Sequence, residues 1–192
     1  STGIGGPSAA IAVEELHQCG ADTMMRVGTC ASVSPKVSIG DIVIPNGAVK
    51  MEGVSNHYLP VEFPSVPDFQ MLKAIEQAAM NLGYPYDVGV TITKASFYTQ
   101  TSPETKPVGP ELIYKWESYK KGGASSTSME CAPLFAVGAS LGIRTSCVMA
   151  SATNYESGKV KEGAEKMDIE DRAIRTAIEA MKLIIRSDQK GE

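Results

Sequence analysis

The order of apolar runs and amphipathic segments along the chain predicts an α/β fold built on a largely buried β-sheet. Three observations carry this. Short runs rich in Val and Ile recur, segments with helical spacing lie between them, and Gly or Pro stands at the junctions.

Taken in order, Gly5-Gly6-Pro7 opens a helix with Pro in its first turn; Ile11, Ala12, Leu16 and Cys19 line one face and Gly20 stops it. Asp22 to Thr29 is short and mostly apolar and reads as a buried strand, as does the Ile- and Val-rich run from Asp41 to Val49. Pro67-Asp68 starts a second helix, with Phe69, Leu72, Ile75, Ala79 and Leu82 at helical spacing and Gly83 closing it. Tyr86 to Lys94 alternates Val88, Val90 and Ile92 with smaller or polar residues, the period of a strand. Glu111 to Lys121 is a weaker helix, followed by a flexible Gly-Ser stretch. An apolar helix then runs from after Met129 to about Leu141, and a strand from Ile143 to Ala150. Asp168 to Arg186 is the last helix, with Ile174, Ala177, Ile178, Met181 and Ile185 on one face. No repeat, linker or low-complexity stretch divides the chain.

Composition bounds the function. The 192 residues are 43% hydrophobic and 21% charged, with a net charge of −4, close to a globular average and far from disordered or coiled-coil chains. No apolar run reaches the ~18 residues of a membrane span. Mild acidity without a Lys/Arg block argues against nucleic acid or a membrane surface, since both require clustered cations. Cys19, Cys30, Cys131 and Cys147 lie far apart, with no C-x-x-C pair and no Asn-x-Ser/Thr sequon. These features predict a reduced, cytoplasmic compartment and no metal site.

Ligands of α/β folds sit at the carboxyl ends of strands. This directs attention to the segments 2–6, 28–34, 95–103, 127–131 and 151–155. Arg26 is the only arginine in the first 143 residues, and it lies inside the otherwise buried Thr23-Met-Met-Arg-Val-Gly-Thr29. A buried guanidinium needs an anion, either an internal carboxylate or a bound phosphate or carboxylate held bidentately. Gly28-Thr29 favours a ligand, because a small residue admits it to the backbone and Thr adds a hydroxyl. Gly3-Ile-Gly-Gly-Pro-Ser8 loosely matches a dinucleotide fingerprint, but Pro7 removes an amide donor. It reads equally as a tight turn. Gly138-Ala-Ser-Leu-Gly142 matches G-x-S-x-G, yet a helix precedes the serine and a strand follows, the reverse of a nucleophile elbow. Thr127-Ser-Met-Glu130 reads as a capping box, with Glu130 returning to the Thr127 amide, or as a carboxylate for sugar hydroxyls. Phe97-Tyr98 is either surface packing or a platform for a base.

Together, Ser1-Thr-Gly-Ile-Gly-Gly-Pro-Ser8, Arg26-Val-Gly-Thr29, Glu62-Phe-Pro-Ser-Val-Pro-Asp-Phe69, Phe97-Tyr98 and Ser128-Met-Glu-Cys131 resemble, in order and spacing, the uridine phosphorylases of the nucleoside phosphorylase family. The resemblance covers nearly the whole chain. It implies a mixed central β-sheet with helices on both sides, in one domain over residues 1–192. It also implies phosphorolysis of uridine or a related pyrimidine nucleoside to free base and ribose 1-phosphate. Phosphate is then a co-substrate with no other cofactor, and the assembly is a hexamer built from dimers. Arg26 and Thr29 would hold phosphate; Thr29, Met129 and Glu130 the ribose; and Cys30, Ala31, Phe97, Gln100, Thr153, Asn154 and Tyr155 the base. Arg26, Thr29 and Glu130 would carry catalysis. Phosphate attacks C1′ as an oxocarbenium-like sugar develops, so positioning and charge stabilisation suffice and no protein nucleophile is needed.

The chain departs from the family pattern in two places. Uridine phosphorylases usually place an Arg two residues after the uracil-reading Gln; Gln100 stands for the Gln, but no arginine follows before Arg144, and Tyr155 occupies a position where an arginine often supports the pair. Purine enzymes place an Asp after the later strand, and none lies between Glu130 and Asp168. The family's N-terminal strands, with a further phosphate-binding Gly and Arg, are also not in this sequence, which predicts an exposed sheet edge near Ser1. Alternatives are a purine phosphorylase or nucleosidase of the same fold, a non-catalytic nucleoside binder, or a nicotinamide-dependent oxidoreductase. The last lacks an acidic ribose-binding residue at the end of a second strand.

Overall fold

A computed structural model describes residues 1–160 and 163–191, without side-chain detail at 159 and 163–166. Helix α1 (Gly6–Gln18) leads to β1 (Thr23–Ser32) and β2 (Ile42–Met51). A short α2 (Ser55–Tyr58), α3 (Phe69–Leu82), β3 (Tyr86–Lys94) and a short α4 (Tyr98–Thr101) follow. After a 3-10 turn at Pro103–Thr105 come α5 (Gly109–Lys121), β4 (Ser126–Ser128), α6 (Cys131–Leu141), β5 (Arg144–Asn154), β6 (Lys159–Val160) and α7 (Gly163–Lys190).

The sheet is mixed and closes on itself. β1 runs parallel to β5, and β2 and β4 both run parallel to β3; antiparallel pairings of β1 with β4 and of β2 with β5 join these groups into a ring. Closure is incomplete on one side: β1 pairs with β5 from Thr23 to Ser32, but with β4 only at Ala31 and Ser32. The other edge of residues 23–30 has no strand partner among the described residues, and Val27 is exposed there.

Side-chain alternation sorts the strands into two cores. Val43, Cys147 and Met149 face α1 and α6, packing with Ala10, Val13, Leu134, Phe135 and Val137. Ile42, Ile44, Val148 and Ala150 face the opposite way onto α3 and α7, against Ile75, Ala79, Ala173, Ala177 and Ala180. Helices therefore cover both faces. A smaller cluster of Val33, Ile92 and Ala124 lies under Trp116 and Tyr119 of α5.

Three helix faces differ from expectation in instructive ways. α1 buries Gly6, Ala9, Ala10 and Val13 and leaves Ile11 and Leu16 outside. α7 buries Ile169, Ala173, Ala177, Ala180 and Ile184, while Ile174, Ile178 and Ile185 stay exposed. Small residues dominate both inner faces, with Ile169 and Ile184 at the two ends of the buried α7 stripe. On α3, Ile75 and Ala79 are buried as expected, whereas Phe69 is exposed. β1 and β5, two of the strands that end at the candidate site, also run further than expected, to Ser32 and Asn154. β5 continues to Asn154 through a bulge at Ala152, where Cys30 pairs with Ser151 but Ala31 pairs with Thr153.

Candidate active site

A cavity of about 850 Å³ opens where β1, β3, β4 and β5 end, lined by Arg26 to Ala31, Lys94, Phe97, Thr101, Thr127 to Glu130, Ala152, Thr153 and Tyr155. The loop at Gly3-Ile4 and residues Glu170 and Ile174 of α7 complete the rim.

Arg26 is the centre of its charge. β1 and β5 align so that Arg26 faces Cys147, and Nη1 lies 3.6 Å from the Cys147 Sγ. Its Nη2 meets Glu130 Oε2 at 2.6 Å, with the two side chains 19% and 7% exposed. Burial works against the guanidinium charge, but Cys147, Cys131 and Glu130 outweigh it and raise the Arg26 pKa, so the cation is permanent. The internal carboxylate that a buried arginine demands is thus Glu130. Gly28 lies two residues along the same strand, and the guanidinium rests over it. The small residue therefore admits Arg26 to the backbone.

Glu130 is buried and uses both oxygens. Oε1 accepts from the Gly5 amide at 2.8 Å; Oε2 accepts from the Met129 amide at 3.1 Å as well as pairing with Arg26. The expected capping box does not form: Glu130 is the N-cap of α6, makes no side-chain cap, and Thr127 belongs to β4. Its carboxylate is already committed to Arg26 and the glycine loop. That loop in turn spends the Gly5 amide on Glu130, which leaves it poorly suited to a pyrophosphate. The G-x-S-x-G segment is helix α6 followed by β5, so it forms no nucleophile elbow.

The aromatic wall is built from Phe97 and Tyr155. Phe97 lines the cavity, while Tyr98 is 72% exposed and only packs edge-on against it. Tyr155 is fixed by its amide, which donates to the Ser32 carbonyl at 3.0 Å, and by edge contact with Trp116. Thr29, Cys30, Ala31, Met129 and Thr153 also reach the cavity. Burial pushes the Cys30 thiol upward, which keeps it neutral. Two expected residues stand behind the lining. Asn154 is buried, its amide donating to the Val37 carbonyl at 2.9 Å and its oxygen accepting from the Ser157 amide. Gln100 is turned toward Lys94 and Thr127 Oγ1.

Lys94 is a further cavity residue, outside the set that the sequence motifs point to. It is 5% exposed, lines the cavity, and its ammonium donates to Gln100 Oε1. Nζ also sits 5.1 Å from the Phe97 ring centre and 5.9 Å from that of Tyr155. Burial lowers its pKa from 10.5 to about 8, against the opposing pull of Glu130. The signal was present in the strand itself: Lys94 continues the inward parity of Val90 and Ile92 at a carboxyl strand end.

No group of three or more His, Cys, Asp or Glu suited to a metal exists among the described residues, and no described helix is long and apolar enough to cross a membrane. Fold and site together define an α/β protein whose cavity lies between a buried cation–carboxylate pair and an aromatic wall. The phosphorylase superfamily model matches residues 1–187, and the chain belongs to that family. It is 43% identical to a uridine phosphorylase of Treponema pallidum, over 98% of this chain and 73% of that protein. A uridine phosphorylase of Thermococcus kodakarensis is 36% identical, over 100% of this chain and 68% of its own length. A guanosine phosphorylase of Halorubrum lacusprofundi is 35% identical, over 94% of this chain and 73% of that protein.

Proposed function

We propose that the protein is a uridine phosphorylase, a pentosyltransferase that converts uridine and inorganic phosphate to uracil and ribose 1-phosphate. The observation that carries the reading is the Arg26–Glu130 pair on the wall of the cavity: one member suits an anionic nucleophile, the other suits sugar hydroxyls, and they touch. Phosphate held by Arg26 and Thr29 is placed against C1′ of a ribose that Thr29, Met129 and Glu130 orient. Glu130 is fixed by the Gly5 amide, so its position is set before substrate arrives. As the C1′–N bond lengthens, positive charge on the sugar faces phosphate and carboxylate. The base occupies the space bounded by Cys30, Ala31, Phe97, Thr153 and Tyr155, with Gln100 and Asn154 bracing that wall from behind. Phosphate is the co-substrate, and the chemistry calls for no further cofactor. Exposed Ile4, Ile11 and Leu16 at the first helix support a homo-oligomer, with dimers building a hexamer. A cytoplasmic location is part of this reading, and the free cysteines support it.

Uracil release from uridine, followed by absorbance with and without phosphate, tests this. Release that depends on phosphate is expected. Equal release without it would make the protein a hydrolase, and turnover of guanosine but not uridine would favour the chemistry named for the Halorubrum relative.

A further inference from the structure

Among the described residues lining the cavity, the cationic side chains are Arg26 and Lys94; Arg26 pairs with Glu130 and is assigned above to phosphate. Lys94 has a different setting. It lies beside the two aromatic rings that bound the base space, held by Gln100 Oε1. An ammonium carries three donors and no acceptor. Gln100 takes one donor, which leaves others for a ligand.

We propose that Lys94 is the residue that reads the nucleobase: it donates to the C4 carbonyl oxygen of a pyrimidine, the position at which keto and amino bases differ, selects keto-edged bases over amino-edged ones, and stabilises the departing base. The selection follows from donor chemistry. A carbonyl accepts from the ammonium, whereas an exocyclic amino group can only oppose a donor to it, leaving both unpaired in a buried site. During the reaction a phosphate oxygen forms its bond to C1′ as the C1′–N bond breaks. The bonding electron pair leaves with the base and spreads onto its carbonyl oxygens. Lys94 donates a hydrogen bond to one of these as its charge grows, and the freed base takes its proton from solvent. Gln100 acts through Lys94 as a positioning residue by fixing the ammonium over the rings. An arginine two residues after Gln100, where Ser102 stands, is thereby unnecessary.

The inference rests on the phosphorylase reading, and the experiment separates the two. Kinetics of wild type, Lys94→Met and Lys94→Arg are measured with uridine and cytidine at pH 7 and 9.5, with folding checked by circular dichroism. Lys94→Met should lose about 10²-fold in kcat/KM for uridine, mostly in kcat, with the KM for phosphate unchanged. Lys94→Arg should retain activity within about tenfold at pH 7. It should also keep that activity at pH 9.5, where a Lys94 titrating at about 8 leaves roughly 30-fold fewer enzyme molecules charged. The other titratable groups around the cavity are Arg26, Cys30, Glu130, Tyr155 and Glu170, and all are common to the three proteins. A Lys94→Met enzyme within threefold of wild type on uridine, or an alkaline loss equal in wild type and Lys94→Arg, overturns the assignment. If wild type releases no uracil from uridine, the phosphorylase reading fails, and calorimetric binding of uracil and cytosine decides instead. A preference for uracil that vanishes in Lys94→Met supports the role; an unchanged preference overturns it.

Discussion

A Cβ placed on Gly28 would stand 3.0 Å from Arg26 Nη2 and 3.1 Å from its Cζ and Nη1. Contacts that tight force the guanidinium to give by a few tenths of an ångström, which moves the group assigned to the anion, whereas Glu130 stays held by the Gly5 and Met129 amides. Gly28→Ala should therefore raise the KM for phosphate about tenfold while the KM for uridine changes less than twofold, since one misplaced charged hydrogen bond is worth roughly 1.5 kcal/mol. Steady-state kinetics with each substrate varied in turn checks this; an unchanged phosphate KM would show that Arg26 accommodates the methyl. At this scale much of the site was legible. A lone arginine in an apolar strand demands a partner, and Glu130 in a polar segment offers one. What stayed hidden was how side chains divide the work. Nothing in the local spacing says that Glu130 spends an oxygen on Gly5, 125 residues away. Nor does it say that Asn154 turns inward to Val37 rather than toward a ligand.

Helices were legible in position and misread in orientation, and close approach is the reason. α6 crosses β5 so tightly that a Cβ on Gly138 would lie 2.3 Å from Thr145 Oγ1 and 2.5 Å from Cγ2. Gly6 at the start of α1 is similar, with a Cβ there 2.7 Å from Pro133 Cγ of α6. Close-packed axes favour Gly and Ala at the contact, so a search for a stripe of large aliphatics selects the wrong face of α1. The same contact explains the accidental esterase-like motif. Gly138 is needed for helix-on-strand packing, and Gly142 ends the helix in a left-handed conformation with φ of 68°. Gly138→Ala should accordingly destabilise the fold by about 1–3 kcal/mol, because Thr145 is β-branched and buried and cannot swing aside. Urea unfolding would show this as a lower midpoint at unchanged slope. The KM values of the folded enzyme should stay within twofold, since neither residue reaches the cavity.

At the scale of the molecule, the ring of strands brings β1, β3, β4 and β5 to one cavity, and neither ring nor cavity follows from local pattern. Its closure depends on two-residue pairings such as Ala31 with Thr127 and Ile42 with Ala150, remote in sequence and set by the packing of both cores. The ring also encloses Lys94, which gives the whole protein a pH signature. In the unfolded chain Lys94 titrates at 10.5, and in the fold at about 8. Below pH 8 it is protonated in both states and the fold bears the full cost of the buried cation. Between pH 8 and 10.5 the unfolded chain binds more protons than the native one, so this contribution to stability rises with pH, and above 10.5 the cost is gone. Cys30 acts in the opposite sense from pH 9 upward, because burial holds its thiol protonated while the unfolded chain ionises. A single alkaline titration would mix the two, but a pair of proteins separates them. Lys94→Met should be more stable than wild type by about 3 kcal/mol at pH 7. The gap should close as pH rises from 8 to 10.5, while the thiol effect, common to both, cancels. Urea midpoints of the two proteins across that range measure the difference directly. A gap that is constant with pH would mean that Lys94 holds its ordinary pKa in the fold and that the ring does not desolvate it.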